Sequence, residues 1–360
     1  MHKFGLTTAF ITVKEKGTLH FPFLSRSLVK KKRAMHREDP PNAAIRSHLV
    51  GRPYRNILRI IFFGIVTSIF LLFSPDASFS DSPGMEILFL GTGGPRADGR
   101  AASCGAVIIN GQPRFFVDVG SGAFTRLGEL RLALDKVDTI FLTHLHVDHT
   151  ADLASMMKAR GAVSDQAIHF DIFGPSGAGD YPSTSRFVEL LFGEGGAWAY
   201  LKHFGIPISW TTHDIPNDLS ASPAIVFETK EGVKVSGVTT HHGDAPELAY
   251  RIEFNGRNVT FSGDIDPAGL PNLTKLATET DLLIFNCAVL DPPGSPKELY
   301  DRHSPPKRIA EVAKAAHVHR LILTHIPPLV DRARKQVLSS IQALTDTPTS
   351  FAEDKMRIAP

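Results

Sequence analysis

The sequence predicts an α/β fold: a four-layer αββα sandwich of two mixed β-sheets with helices outside. Three observations lead there. Short apolar runs of strand length recur at 86–90, 105–109, 114–118, 137–142, 169–173, 224–228, 233–239, 249–254, 258–262, 281–286 and 320–324. Helix-like stretches flank them at 150–160, 184–204, 304–316 and 331–344. Histidine and aspartate residues then collect just after several of the strand-like runs, which suits an open site along one edge of packed sheets.

A length of 360 residues with 42% hydrophobic and 21% charged side chains describes a globular protein with a real core. The net charge of +2 hides an asymmetry. Residues 1–59 hold 13 Lys or Arg and 3 Asp or Glu, a net of +10, so the remainder carries 26 basic and 34 acidic residues, a net of −8.

Three segments follow in order. Residues 1–56 form a basic leader without periodicity, expected to be disordered or to precede a true start such as Met35. Its Lys30-Lys31-Lys32-Arg33 run is a charge cluster of the kind that contacts nucleic acid, but the blander reading is a leader held on the cytoplasmic side. Residues 57–80 read as a secretory signal. Arg55 and Arg59 precede a 14-residue apolar run at 60–73, and Ser78-Phe79-Ser80 offers a cleavage site before Asp81. Such a run spans about 21 Å as a helix, short for a bilayer core of about 30 Å. The expectation is therefore export, to the periplasm or the medium, with an uncleaved inner-membrane anchor as the competing reading. Residues 84–360 are expected to form one domain, which holds all the strand-like runs.

Within that domain the run at 137–142 leads into Thr143-His144-Leu145-His146-Val147-Asp148-His149. In extended chain His144 and His146 point to one side, because side chains alternate with period two. Two such imidazoles can grip one divalent metal. Asp148 and His149 open a helix-like stretch, turn back over the strand end and would serve a second metal. Imidazole nitrogen and carboxylate oxygen without thiolate make a zinc-type hydrolytic ligand set. Further candidates stand at later strand ends: His241 and His242, Asp264 in Ser262-Gly263-Asp264, and His325 after Thr324.

In order and spacing these residues resemble the metallo-β-lactamase-fold hydrolases, in the branch that holds ribonuclease Z and the arylsulfatase-like phosphodiesterases. The resemblance runs from residue 85 to about 358. It takes in Gly91-Thr92-Gly93-Gly94-Pro95, Phe116-Val117-Asp118-Val119-Gly120, His144-x-His146-x-Asp148-His149, His242-Gly243, Ser262-Gly263-Asp264, Arg302-His303-Ser304 and Leu323-Thr324-His325. Phe351-Ala352-Glu353-Asp354 looks like that family's last strand. The resemblance implies two zinc ions per chain. His144, His146 and His242 would bind the first and Asp148, His149 and His325 the second, with Asp264 bridging both. Asp118 would be a structural carboxylate beneath the metal loop. His242 is preferred over its neighbour because Gly243 follows it, and His241 is the competing choice.

The function expected is that of a dinuclear zinc hydrolase using a metal-bridging hydroxide, a phosphodiesterase or esterase on a small anionic or ester substrate. Metal coordination lowers the pKa of water from 15.7 toward about 7. Two zinc ions outweigh Asp148, Asp264 and a hydroxide in charge, so the site favours anions. Asp148 would orient the nucleophile while ligating. His303, ahead of a helix, would face the scissile group in the resembling family; the competing reading is an exposed His303 beside a capping Ser304. Ribonuclease Z-type cutting at transfer-RNA 3′ ends is the alternative, with lactone or sulfate-ester hydrolysis also open and a non-catalytic binding relative ranked lower. RNA is not expected, for three reasons. His242 and Asp264 stand only 22 positions apart, leaving no room for an RNA-binding arm. The body is acidic, and export separates enzyme from RNA. Zinc-dependent lactamases typically carry Cys where Asp264 stands, and di-iron oxidoreductases of the fold carry Glu where His146 stands. A membrane contact is expected only through residues 57–80, and a homodimer stays open.

Cys104 and Cys287 lack ligand spacing and sit in or beside apolar stretches, so both are expected as free buried thiols. The segment 174–216 is rich in Gly, Pro, Ser and aromatic residues. It either folds over the metal cleft or packs the outer helices. No Gly-x-x-x-x-Gly-Lys loop and no Gly-x-Ser-x-Gly elbow occurs, which removes support for nucleotide-loop and serine-hydrolase readings.

Overall fold

The computed structural model describes residues 84–360 apart from Ala97 and Phe204. The expectations for 1–56 and 57–80 lie outside the described residues.

Two mixed seven-stranded sheets stack face to face. The first contains β1 (Met85–Gly91), β2 (Cys104–Ile109), β3 (Gln112–Val117), β4 (Thr139–Phe141), β5 (Ile168–Pro175), β6 (Ile208–Ile215) and, at its other edge beside β1, β14 (Arg357–Ile358). The second runs β7 (Ala224–Glu228), β8 (Lys234–His242), β9 (Ala245–Phe254), β10 (Arg257–Phe261), β11 (Leu282–Asn286), β12 (Leu321–Thr324) and β13 (Thr349–Phe351). In each sheet an antiparallel meander passes into a parallel half, β3 to β6 and β10 to β13. β8 and β10 both run antiparallel to β9, so their carboxyl ends share the edge where β11 and β12 also end. That common edge carries the site, as carboxyl ends do in open α/β sheets.

Helices cover both outer faces. The first sheet is backed by α1 (Ala123–Leu130), α3 (Leu153–Ala162) and α4 (Thr184–Phe192), while the short α2 (Val147–Thr150) lies at the sheet edge that carries the site. The second is backed by α5 (Leu270–Leu276), α6 (Pro306–Ala315), α7 (Pro328–Arg332) and α8 (Arg334–Gln342). α6 shows why the sequence folds this way. Pro306 occupies the first turn, where its missing N–H costs nothing, and Ile309, Ala310, Val312 and Ala313 form the buried stripe. α4 starts where the Ser183 side chain accepts from the Arg186 amide.

The inter-sheet core is aromatic. Phe141 stacks on Phe173 at 5.0 Å and meets Tyr250 of the opposite sheet at 5.4 Å. Fully burying such a side chain contributes about 1.5–3 kcal/mol. Tyr250 also donates its hydroxyl to the Leu142 carbonyl at 3.0 Å, and the Leu248 amide donates to the Thr143 carbonyl at 2.9 Å. β9 thereby ties the second sheet to the loop that follows β4.

Several sequence expectations need correction. The stretch 184–204 is not one helix: Gly193, Gly195 and Gly196 end α4, and a short 3-10 turn, Ala199–Lys202, follows. Phe351 ends β13, but Ala352–Asp354 leave the sheet, and the last strand is β14 on the other sheet. β6, α1 and α5 were not expected; α1 buries only Ala123 and Leu127, too few apolar positions to stand out.

Candidate metal centre

β4 ends at Phe141, and the chain bends at Thr143 before His144. His146 is the N-cap of α2, which sets Asp148 and His149 in that short helix facing the strand end. All seven residues expected as ligands meet here, and His144, Asp148, His149, His242, Asp264 and His325 are buried.

One group gathers His144, His146 and His242. His144 Nε2 lies 2.9 Å from His146 Nδ1, and the His242 ring stands 5.1 Å from each of the other two. Each ring has an outer partner on its far nitrogen. His144 Nδ1 is 2.9 Å from Glu247 Oε2 and 3.1 Å from Thr143 Oγ1. His146 Nε2 is 3.0 Å from the Tyr181 hydroxyl. His242 Nδ1 donates to the Arg302 carbonyl at 2.6 Å. His144 Nε2, His146 Nδ1 and His242 Nε2 are the atoms left for a metal, because outer partners fix which nitrogen a ligating ring presents.

A second group gathers Asp148, His149 and His325. His149 Nδ1 is held by Asp118 Oδ2 at 2.7 Å, and Asp118 also accepts from the Thr143 amide at 2.8 Å and hydroxyl at 3.0 Å. This leaves His149 Nε2 buried without a hydrogen bond among the described residues, 3.7 Å from Asp148 Oδ2 and 3.8 Å from Asp264 Oδ2. His325 Nε2 is 3.2 Å from Asp148 Oδ2 and 3.4 Å from Asp264 Oδ2. Asp264 Oδ2 lies 3.7 Å from His242 Nε2 as well, so this carboxylate stands between the two groups. Its other oxygen accepts from Asn286 Nδ2 at 2.8 Å.

The charges agree with a site built for cations. Burial alone would raise the Asp264 carboxyl, but His325, His303, His149 and His242 hold it well below the usual range. Burial opposes charge on His149 too, yet Asp118 outweighs it and holds the ring at about 9. His144 is pushed well down, first by burial and then by His149. The orphaned Nε2 of His149 and the nitrogen–oxygen donor set therefore fit divalent metal, whose binding would displace protons from these rings.

His303 stands at the mouth. Its ring is 5.0 Å from His242, its Nδ1 is 3.9 Å from Asp264 Oδ2, and burial pushes it down to about 4. With His242 and Asp264 it forms a further group that could hold a metal ion. The capping alternative fails: Pro305 is the N-cap of α6, and Ser304 makes no cap bond. His241 faces away from the groups, pairing with Asp266 at 2.5 Å.

The segment 174–216 divides its aromatics. Tyr181 reaches the cleft, while Phe192 and Trp210 pack at 5.6 Å beneath the outer helices. Sequence reasoning missed the contacts of Glu247 and Asn286. Asn286 had a usable signal, since it ends an apolar run as the ligands do. Glu247 was a lone carboxylate before a strand-like run and carried none. Cys104 and Cys287 are free and buried, as expected.

The Beta-lactamase superfamily domain matches residues 114–326. Ribonuclease Z of Mycolicibacterium gilvum (strain PYR-GCK) is 30% identical over 294 residues, covering 76% of this chain and 96% of that protein. In fold, the short form of human tRNase Z superposes with a TM-score of 0.58 at 24% identity, over 76% of this chain and 98% of that one. Zn²⁺-bound PqqB from Methylobacterium extorquens does so with a TM-score of 0.54 at 14% identity, over 76% of this chain and all of that one, 100%. These relatives overturn the expectation of export: the curated proteins that this chain matches over two thirds of its length or more are ribonuclease Z. The chain is a hydrolase and belongs to the metallo-β-lactamase superfamily, on its ribonuclease Z-like branch.

Proposed function

We propose that this chain is a two-metal phosphodiesterase of the ribonuclease Z kind, cutting a phosphodiester bond in RNA. The observation that carries the reading is the position of Asp264, with Oδ2 3.7 Å from His242 Nε2 on one side and 3.4 Å from His325 Nε2 on the other. His144, His146 and His242 would hold one ion, Asp148, His149 and His325 the other, and Asp264 would be shared. Zinc suits the donor set and is the ion bound in PqqB. When bound, such metals supply Lewis acidity and lower the pKa of water.

The residues supply the rest. Asp148, buried with one oxygen toward His325, is the carboxylate placed to orient an attacking water. His303, 12% exposed at the mouth, offers a ring N–H to an oxygen of the scissile phosphate.

A second reading is a phosphodiester or ester substrate of small size. β8, β9 and β10 are joined by the tight turns at 243–244 and 255–256, so no arm projects between His242 and Asp264. Against that, the chain covers 96% of the M. gilvum ribonuclease Z, so little of that relative lies beyond the shared body.

The test is zinc-loaded protein with a 3′-extended precursor transfer RNA and with bis(p-nitrophenyl) phosphate. Cleavage of the precursor at its 3′ junction supports the first reading. Hydrolysis of the small diester alone favours the second. Failure on both, with zinc bound, overturns the phosphodiesterase proposal.

A further inference from the structure

Glu247 is a carboxylate inside β9 with no exposed surface. Neither of its oxygens is satisfied by a hydrogen bond among the described residues. Burying an unpaired carboxylate is strongly unfavourable, so such a group calls for a physical reason. Two neighbours supply one. Oε2 lies 2.9 Å from Nδ1 of His144, a ring that is itself fully buried. Oε1 occupies the space beside Gly263, where φ is +62° and a Cβ would overlap that oxygen. The carboxylate is therefore set between the first histidine of the site and the Ser262-Gly263-Asp264 turn, and only glycine at 263 leaves room for it.

We infer that Glu247 is the positioning carboxylate of the first metal group, accepting Nδ1–H of His144 so that Nε2 is presented to the ion. The inference rests on the metal assignment above. A neutral imidazole that ligates through Nε2 must carry its proton on Nδ1, and that N–H needs an acceptor. Thr143 Oγ1, at 3.1 Å, also lies near Nδ1, but it donates its own proton to Asp118 and bears no charge. Asp118 stands behind His149 in the same way, at 2.7 Å. One carboxylate–imidazole pair then backs each group.

The experiment compares the parent with Glu247→Gln, which keeps shape and removes charge. Zinc affinity is read by competition with a chromophoric chelator, and metal-free stability by thermal unfolding. The expected result has opposite signs: binding at one of the two sites weakens by about 10- to 100-fold, while the metal-free Tm stays level or rises. Affinity within twofold of the parent overturns the inference. A parent that binds no zinc removes the metal reading and the inference with it, which is a different outcome from an unaffected variant. Should Glu247→Gln not fold, ¹⁵N NMR of the zinc-loaded parent decides: a protonated Nδ1 on His144 supports the role, and an unprotonated one overturns it.

Discussion

Asp354 accepts hydrogen bonds from Thr92 across 262 positions of sequence, at 2.8 Å from its hydroxyl and 3.1 Å from its amide. The other carboxylate oxygen accepts from the Ala101 amide at 2.9 Å and from Arg126 Nε at 3.0 Å. One side chain near the carboxyl end thus gathers the loop after β1, the approach to β2 and helix α1. The Thr92 carbonyl in turn accepts from the Ile326 amide at 2.8 Å, next to His325. His325 has a left-handed backbone, φ +56°, which a non-glycine residue keeps only when its surroundings hold it. Gly94 leaves space for its ring, since a Cβ there would come within 2.6 Å of Cε1.

Asp354→Ala should therefore do two things. It leaves several part-buried donors without an acceptor, each worth about 1–3 kcal/mol when orphaned, so the urea midpoint should fall clearly. It should also loosen His325 and speed loss of zinc from one of the two sites. A variant with lowered stability but parental zinc release would show that the clasp supports the fold alone.

Asp264→Ala should abolish the paired site, because this carboxylate stands between both groups. His241→Ala should keep most activity, since His241 pairs with Asp266 and points away from the cluster. Zinc analysis and diester hydrolysis read both variants. Equal damage from His241→Ala and His242→Ala would undo the choice made within that adjacent pair.

The sandwich was legible because strand-length apolar runs and strand-end ligands are local signals. The histidine string carries its own geometry: once β4 ends, three imidazoles and a carboxylate have nowhere to go but the sheet edge. What stayed hidden depended on distant partners. Glu247 meets His144 only because β9 docks on the loop after β4, and Tyr181 meets His146 only after segment 174–216 has folded. β6 and α1 were hidden for another reason. Ile208–Ile215 alternates only in part because it is an edge strand, and α1 has two buried positions in eight residues.

Tyr181→Phe removes the hydroxyl that meets His146 Nε2 at 3.0 Å while keeping the ring that lies 5.7 Å from the imidazole. Losing an outer-shell partner costs about 10- to 100-fold in metal affinity or activity. The effect should fall on the lower end, because solvent can replace the hydroxyl at this half-buried position. Zinc competition measures it, and an unchanged affinity would leave Tyr181 a wall of the cleft and nothing more.

Neither thiol should react in the native protein. Burial pushes the Cys287 thiol up to about 12, and burial followed by Asp118 raises Cys104 well above its ordinary value. The thiolate is the reactive form, so a disulfide reagent at pH 8 should label neither until denaturant is added. Rapid labelling of the native chain would contradict the burial of both.

His303 is expected to act on the transition state and not on metal binding. Burial pushes its ring down to about 4, so at neutral pH it is a neutral imidazole that donates a hydrogen bond and does not deliver a proton as an acid. His303→Ala should leave zinc stoichiometry unchanged and lower kcat and kcat/KM together, the pattern of an interaction made mainly in the transition state. Removing one such donor typically costs about 10²- to 10³-fold in kcat. Because the neutral ring stabilises charge, the loss should be alike for aryl diesters with good and poor leaving groups. A loss confined to poor leaving groups would instead mark proton donation and a ring whose pKa rises when substrate binds. Loss of zinc from His303→Ala would place this residue among the ligands, as its distance of 3.9 Å from Asp264 Oδ2 makes geometrically accessible.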